Sequence, residues 1–163
     1  MKNKTKFISY GKNVYDGLEV NAVLKTLKKG TQMGQSVNSF ENKIAPLFKK
    51  KYGLMVNSGS SALILAFKVL NLKKNSEVIT PCLNFGTAIS SILLSNLLPV
   101  LVDCKVKTLQ IDTDKIEENI SKKTKALLVP NLIGNIPDWK EIRRIANKHK
   151  LIIIEDSADT LGA

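Results

Sequence analysis

Five short apolar runs recur along this chain, at residues 54–57, 77–80, 99–104, 126–131 and 151–155, with helix-like segments between most of them. The runs are mostly continuous in Val, Ile and Leu rather than alternating with polar residues. That pattern suits strands buried on both faces of a sheet. Between them, residues 60–70 carry apolar side chains at helical spacing, and residues 88–97 are apolar almost all round, as in a deeply buried helix. Residues 138–149 open with Pro137 and D-W-K-E, in which Asp138 can cap and Glu141 can answer it. They close on a basic turn at residues 148–150 that suits the helix dipole. Strands alternating with helices predict an α/β fold: a parallel-type sheet with crossover helices.

The first 50 residues break this rhythm. They read as two amphipathic helices, at 14–28 and 37–50, joined by G-T-Q-M-G-Q-S. The expected division is therefore a helical arm, residues 1–50, followed by an α/β domain, residues 51–163. With 163 residues, 44% of them hydrophobic, the chain can enclose one ordinary core. Its net charge of +11 raises the question of nucleic acid, but 23 of its 25 basic residues are lysines spread along the chain. Phosphate and base-edge recognition favours clustered Arg, so a solvated lysine surface is expected and no nucleic-acid partner. Cys82 and Cys104 lack the spacing of a zinc site or a redox pair, which favours a reducing, cytoplasmic setting. The start has no signal-peptide core, and no apolar stretch is long enough for a membrane helix, so no membrane association is expected.

Candidate binding residues gather where strands hand over to helices. In V-N-S-G-S-S-A-L, residues 56–63, small residues after a strand-like run would aim backbone N–H groups and a positive helix end at one point. That arrangement can hold an anion, although a simple N-cap by Ser58 or Ser60 accounts equally well for the same residues. The run lacks the glycine spacing of the dinucleotide fingerprint and the Lys of the Walker loop. Phe85, on a loop after the second run, can stack on a flat ligand or fill the core. Glu155 and Asp156 end the last run, at the sheet edge where open α/β folds bind ligands. A carboxylate there can pair with a protonated ring nitrogen, bind a metal, or cap a neighbouring amide. Asp159 can assist it or serve as a turn residue. Asn131 and Asn135 flank Gly134 as in a turn. His149, the only histidine, is expected on the surface. No Ser-His-Asp set and no His/Cys metal cluster can be assembled.

The order of F-E-N-K-I-A-P-L-F, N-S-G-S-S-A-L-I-L-A-F, V-I-T-P-C-L-N-F-G-T-A-I-S-S-I-L-L, T-L-Q-I-D-T-D-K-I and I-I-I-E-D-S-A-D-T-L-G-A resembles the DegT/DnrJ-type sugar aminotransferases, from about Gly30 to Ala163. These are pyridoxal 5′-phosphate (PLP) enzymes of the aspartate aminotransferase fold. The resemblance implies that Gly59, Ser60 and Ser61 bind the cofactor phosphate and that Phe85 stacks on the pyridine ring. It implies that Asp156 pairs with the ring nitrogen as the catalytic acid, with Asp159 beside it. It further implies a homodimer acting on a nucleotide-linked keto-sugar with an amino donor. Two positions depart from the aminotransferase pattern: Asp159 stands for the Gln of E-D-A-A-Q, and N-L-I-G-N, residues 131–135, stands for H-x-x-G-Q. Both look more like the nucleotide-sugar 3-dehydrase branch. The family's Schiff-base Lys lies downstream of Ala163, which implies an amino-terminal fragment. A catalytically inert segment is the remaining alternative.

Overall fold

A computed structural model describes residues 12–32 and 34–160. The chain divides into two compact units, one extending to Met55 and one beginning at Val56. In the first unit, α1 spans Gly17–Lys29 and α2 spans Gln35–Leu47. A reciprocal capping box starts α1: Asp16 Oδ1 accepts from the Leu18 N–H at 2.7 Å, and the Asp16 N–H donates to Glu19 Oε2 at 2.8 Å. This satisfies amide donors that the first turn of a helix leaves without partners. Pro46 lies in the last turn of α2, and Lys49 turns into the left-handed region with φ 53°. The helix therefore stops short of the expected residue 50.

The expected strand at residues 54–57 does not form. The Met55 N–H instead donates to Glu41 Oε1 at 2.7 Å, so a carboxylate occupies the amide that a strand partner would use. Leu54 and Met55 stay 70% and 50% exposed, and the boundary between the two units falls immediately after them. A run of three apolar residues with no neighbouring strand has too little to bury.

The second unit holds a four-stranded, wholly parallel sheet in the order β2-β1-β3-β4. Its strands are β1 Glu77–Pro81, β2 Leu98–Val102, β3 Thr124–Pro130 and β4 Ile152–Asp156. Three helices accompany them: α3 Gly59–Leu70, α4 Gly86–Leu94 and α5 Trp139–His149. Strand residues alternate between two cores, as the pleat requires. Val78, Ala126 and Leu128 pack with Leu63 and Phe67 of α3 and with Ala88 and Ile92 of α4. Ile79, Leu127 and Val129 pack on the other face with Ile142, Ile145 and Ala146 of α5. Ile111 and Ile116 complete that second core from the segment between β2 and β3. There Cys104 and Ile111 form an antiparallel bridge ahead of two short 3₁₀ turns, Thr113–Lys115 and Glu117–Asn119.

The connections fix where a ligand can sit. From β1 the chain passes through α4 on one face to β2 at one side; from β3 it passes through α5 on the other face to β4 at the opposite side. The winding reverses between β1 and β3, which makes the C-terminal ends of those strands a topological switch point. Helix α3 begins at that same edge. It runs 12 residues, about 18 Å, and a six-residue link, 71–76, then delivers the chain to the start of β1. Its C-terminus therefore lies at the strands' N-terminal edge, and its N-terminus points the other way. Among the described residues, no helix is long and apolar enough to cross a membrane.

Candidate cofactor site

Ser58 caps α3. Its Oγ accepts from the Ser61 N–H at 3.1 Å, and its carbonyl accepts from the Ala62 N–H at 3.0 Å. The capping reading of this stretch is thus realised, and it does not exhaust the helix end. The Gly59 and Ser60 amides belong to the first turn, where no carbonyl lies within the helix to receive them. Both remain able to donate outward along the positive end of the helix. A Cβ built on Gly59 would meet nothing within 4 Å, so the backbone here faces open space. Ser60 and Ser61 are half-buried, and Ser61 also accepts a hydrogen bond from Ser58, Oγ to Oγ, at 3.1 Å.

Phe85 follows β1 and is the N-cap residue of α4. Its side chain is 72% exposed, so it fills no core. A short relay holds its backbone: Asn84 Oδ1 accepts from the Phe85 N–H at 2.7 Å, and Asn84 Nδ2 donates to the Thr80 hydroxyl at 3.0 Å. Thr80 is fully buried in β1. An exposed aromatic on an anchored loop is preorganised to receive a flat partner. Sequence reasoning passed over Asn84. Its signal was an Asn directly before an aromatic at a strand end.

Asp156 is the last residue of β4 and is half-buried. Its Oδ1 accepts from the Ala158 N–H at 3.1 Å, which leaves Oδ2 as a free acceptor among the described residues. Asn131, buried at the end of β3, braces this strand end. Its Nδ2 donates to Glu155 Oε1 at 3.1 Å and to the Ser157 hydroxyl at 2.8 Å, while its Oδ1 accepts from Trp139 Nε1 at 2.9 Å. Its N–H also donates to the Asp156 carbonyl at 2.9 Å. Asn131 is thus spent on structure, and Asn135 likewise donates to the Thr108 carbonyl at 2.6 Å.

Asp159 is tied to the loop after β3. Its Oδ2 accepts from the Ile133 N–H at 3.0 Å, and Ile133 sits in the left-handed region with φ 52°, followed by Gly134 at φ 79°. Ile133 is β-branched, so its conformation is costly, and the carboxylate that receives its amide helps to hold it. Asp159 is therefore tied through a main-chain amide to the same 131–135 segment that also departs from the aminotransferase pattern.

Gly59, Ser60, Ser61, Phe85, Asp156 and Asp159 all lie at one edge of the sheet unit. Among the described residues no hydrogen bond links the α3 end to Phe85 or to Asp156. The most perturbed carboxylate lies elsewhere. Lys148 Nζ at 2.8 Å and His149 Nε2 at 2.7 Å meet Glu117 Oε1, and Arg144 approaches Oε2 at 3.5 Å. Lys148 first, then His149, hold the Glu117 carboxyl down at about 2. This cluster ties the end of α5 to a 3₁₀ turn, and it makes His149 a half-buried ion-cluster member rather than a free surface residue. No group of three or more His, Cys, Asp or Glu among the described residues could hold a metal ion.

Residues 14–163 match the DegT/DnrJ/EryC1/StrS aminotransferase family. This chain belongs to that family. It is similar to the GDP-4-keto-6-deoxy-D-mannose 3-dehydratase of Yersinia pseudotuberculosis, with 35% identity over 93% of the chain and 40% of the relative. It is also similar to the 3-oxo-glucose-6-phosphate:glutamate aminotransferase of Bacillus subtilis, with 34% identity over 88% of the chain and 34% of the relative. Among solved structures, E. coli GDP-4-keto-6-deoxy-D-mannose-3-dehydratase with bound hydrated PLP superposes with a TM-score of 0.88. There the identity is 33%, over 93% of this chain and 41% of that one. The chain thus spans about two fifths of the length of such family members, and the parallel α/β sheet belongs to their fold.

Proposed function

We propose that this chain is the amino-terminal part of a PLP-dependent enzyme of amino-sugar biosynthesis that acts on a nucleotide-linked keto-sugar. In this reading residues 1–50 are an arm, and residues 51–163 are part of the cofactor domain. The observation that carries it is the shared edge: a helix start with two unspent amides, an exposed aromatic and a half-buried carboxylate all flank one switch point. The donor set suits the group. A phosphate dianion would lie against the Gly59 and Ser60 N–H groups, with the Ser60 and Ser61 hydroxyls beside it and no Cβ at position 59 to obstruct it. Phe85 would pack against the ring. Asp156 would hold a proton on the ring nitrogen through its unspent oxygen, since a carboxylate stabilises the protonated form of a neighbouring base. Asp159 would keep the loop after β3 in place beneath that carboxylate. When bound, PLP supplies an electron sink for a substrate carbanion.

Aminotransfer from a donor such as glutamate is the leading activity. The dehydratase alternative draws support from Asp159 and the N-L-I-G-N segment, which resemble that branch and which the Ile133 N–H ties together. A homodimer in the cytoplasm is part of the same proposal. Titration with PLP, and separately with pyridoxal lacking the phosphate, followed by ring absorbance, tests the cofactor site. PLP should bind at least tenfold more tightly than pyridoxal, and Gly59→Val should abolish that preference, since a charge-assisted contact to main-chain donors contributes about 1.5–3 kcal/mol. Equal affinity for the two ligands would remove the phosphate assignment. The fate of the donor's nitrogen, kept on the sugar or released as ammonia, then separates transfer from dehydration.

A further inference from the structure

A cavity of about 270 Å³ opens between the segment that follows β2 and the residues that lead into α5, and no candidate cofactor residue lines it. Ile111, Ile136 and Pro137 make part of its wall apolar. Gln110 and Thr113 line it as well, although they are only 4% and 6% exposed. Gln110 Nε2 donates to the Leu132 carbonyl at 3.3 Å. Its Oε1 and the Thr113 hydroxyl make no hydrogen bond among the described residues. Polar atoms of buried residues are normally paired. Ser95 Oγ is the only fully enclosed side-chain atom without a partner among the described residues. The Gln110 oxygen and the Thr113 hydroxyl therefore each keep an opening, and the cavity that they line supplies it.

Lys105 and Asp138 stand at the same wall. Lys105 Nζ is already engaged, by Asp114 Oδ2 at 3.1 Å and Asp112 Oδ1 at 3.6 Å. Asp138 Oδ1 accepts from the Glu141 N–H at 3.0 Å and so occupies the positive end of α5. Its Oδ2 is left unspent among the described residues. Among the groups that line the cavity or pair with its lining, three carboxylates thus face one ammonium. Such a set disfavours a phosphate or a carboxylate and suits a donor-rich ligand with a positive charge. Pockets for drug-sized ligands run from about 300 to 1,000 Å³, so this one holds a single small ring rather than a nucleotide-linked sugar. An apolar wall beside hydroxyl acceptors matches the mixed faces of a sugar ring.

We propose that this cavity binds a monosaccharide that carries a free amine. Ring hydroxyls donate to Gln110 Oε1 and to the Thr113 hydroxyl, and the ammonium pairs with Asp138 Oδ2. The C–H face of the ring lies on Ile111, Ile136 and Pro137. This inference is independent of the cofactor reading, because none of the residues assigned to PLP takes part.

The test uses the full chain labelled with nitrogen-15 and titrated separately with D-glucosamine, D-glucose and cyclohexylamine while amide shifts are recorded. Glucosamine should give saturable shifts at residues 105–113 and at Ile136 and Asp138, with a Kd in the millimolar range that so small a ligand reaches. Glucose should bind about tenfold more weakly, the effect of losing one hydrogen bond to a charged acceptor. Asp138→Asn keeps an oxygen to cap α5 and should bring glucosamine down to the level of glucose. Thr113→Val should weaken both sugars. No saturable shift, shifts gathered elsewhere on the chain, equal affinity for the two sugars, or cyclohexylamine binding as tightly as glucosamine would each overturn the proposal. The three ligands are compared on the wild-type chain, so poor folding of a variant cannot obscure the result.

Discussion

Strands β3 and β4 lie side by side, are both rich in branched aliphatic residues, and meet opposite fates. In β3 only Lys125 is exposed, whereas no residue of β4 is fully buried and Ile152 is 39% exposed. On the other side of the sheet β1 and β2 repeat the contrast, with Val78, Ile79 and Thr80 fully buried and Leu101 53% exposed. Hydrophobicity marks a strand, but its neighbours determine how much of it leaves water. A central strand has a partner on each side and a helical layer on each face; the outer strands have one partner and thinner cover.

The largest test of this contrast is Leu128→Ala at the centre of β3. Removing a fully buried leucine should cost about 2–5 kcal/mol in denaturant unfolding, through lost burial and the cavity left behind. A cost under 1 kcal/mol would place the core elsewhere. Next is Asn131→Ala, where β3 hands its brace to β4. It orphans the Trp139 N–H and leaves Glu155 and Ser157 without their shared donor, at about 1–3 kcal/mol for each group that stays buried and unpaired. Unchanged thermal unfolding would mean that water serves those groups equally well.

A smaller effect belongs to the Glu117 cluster on the outer side of α5. The folded carboxyl titrates at about 2 against an ordinary 4.5, so the unfolded chain takes up the proton first as pH falls. The stability it contributes is complete above 4.5 and is lost between there and 2, and Glu117→Gln should flatten the acid limb of the profile in that window. Identical acid limbs would show that solvent screens the cluster completely. The smallest effect is expected from Leu101→Ala on β2, within about 0.5 kcal/mol, because so much of the side chain is already in water. A loss comparable to that of Leu128→Ala would erase the distinction between inner and outer strands.

The sheet was legible because period and composition act locally. The 77–80, 99–104, 126–131 and 151–155 runs all become strands, and Asp138 caps α5 by accepting from the Glu141 N–H at 3.0 Å. Glu141 does not answer back; its carboxylate goes to Arg144 instead. The 54–57 run failed because the deciding partner, Glu41, lies 14 residues away and carries no local signal. For the same reason nothing in the sequence between β2 and β3 announces that Ile111 and Ile116 roof one core. At the site, residue types and strand ends were readable. The Asn84–Thr80 relay under Phe85 and the Asn131 brace under Asp156 were not, because each depends on a side chain meeting another element.

The hydrogen bond from the Ile133 amide to Asp159 has a bearing on redesign. Its donor is main chain and Ile133 is an open position of His-x-x-Gly-Gln, so a graft of that motif after β3 would leave this bond in place, whereas Gln at 159 would replace a charged acceptor with a neutral one. The loop change would act at Asn131 instead, whose amide braces Glu155, Ser157 and Trp139.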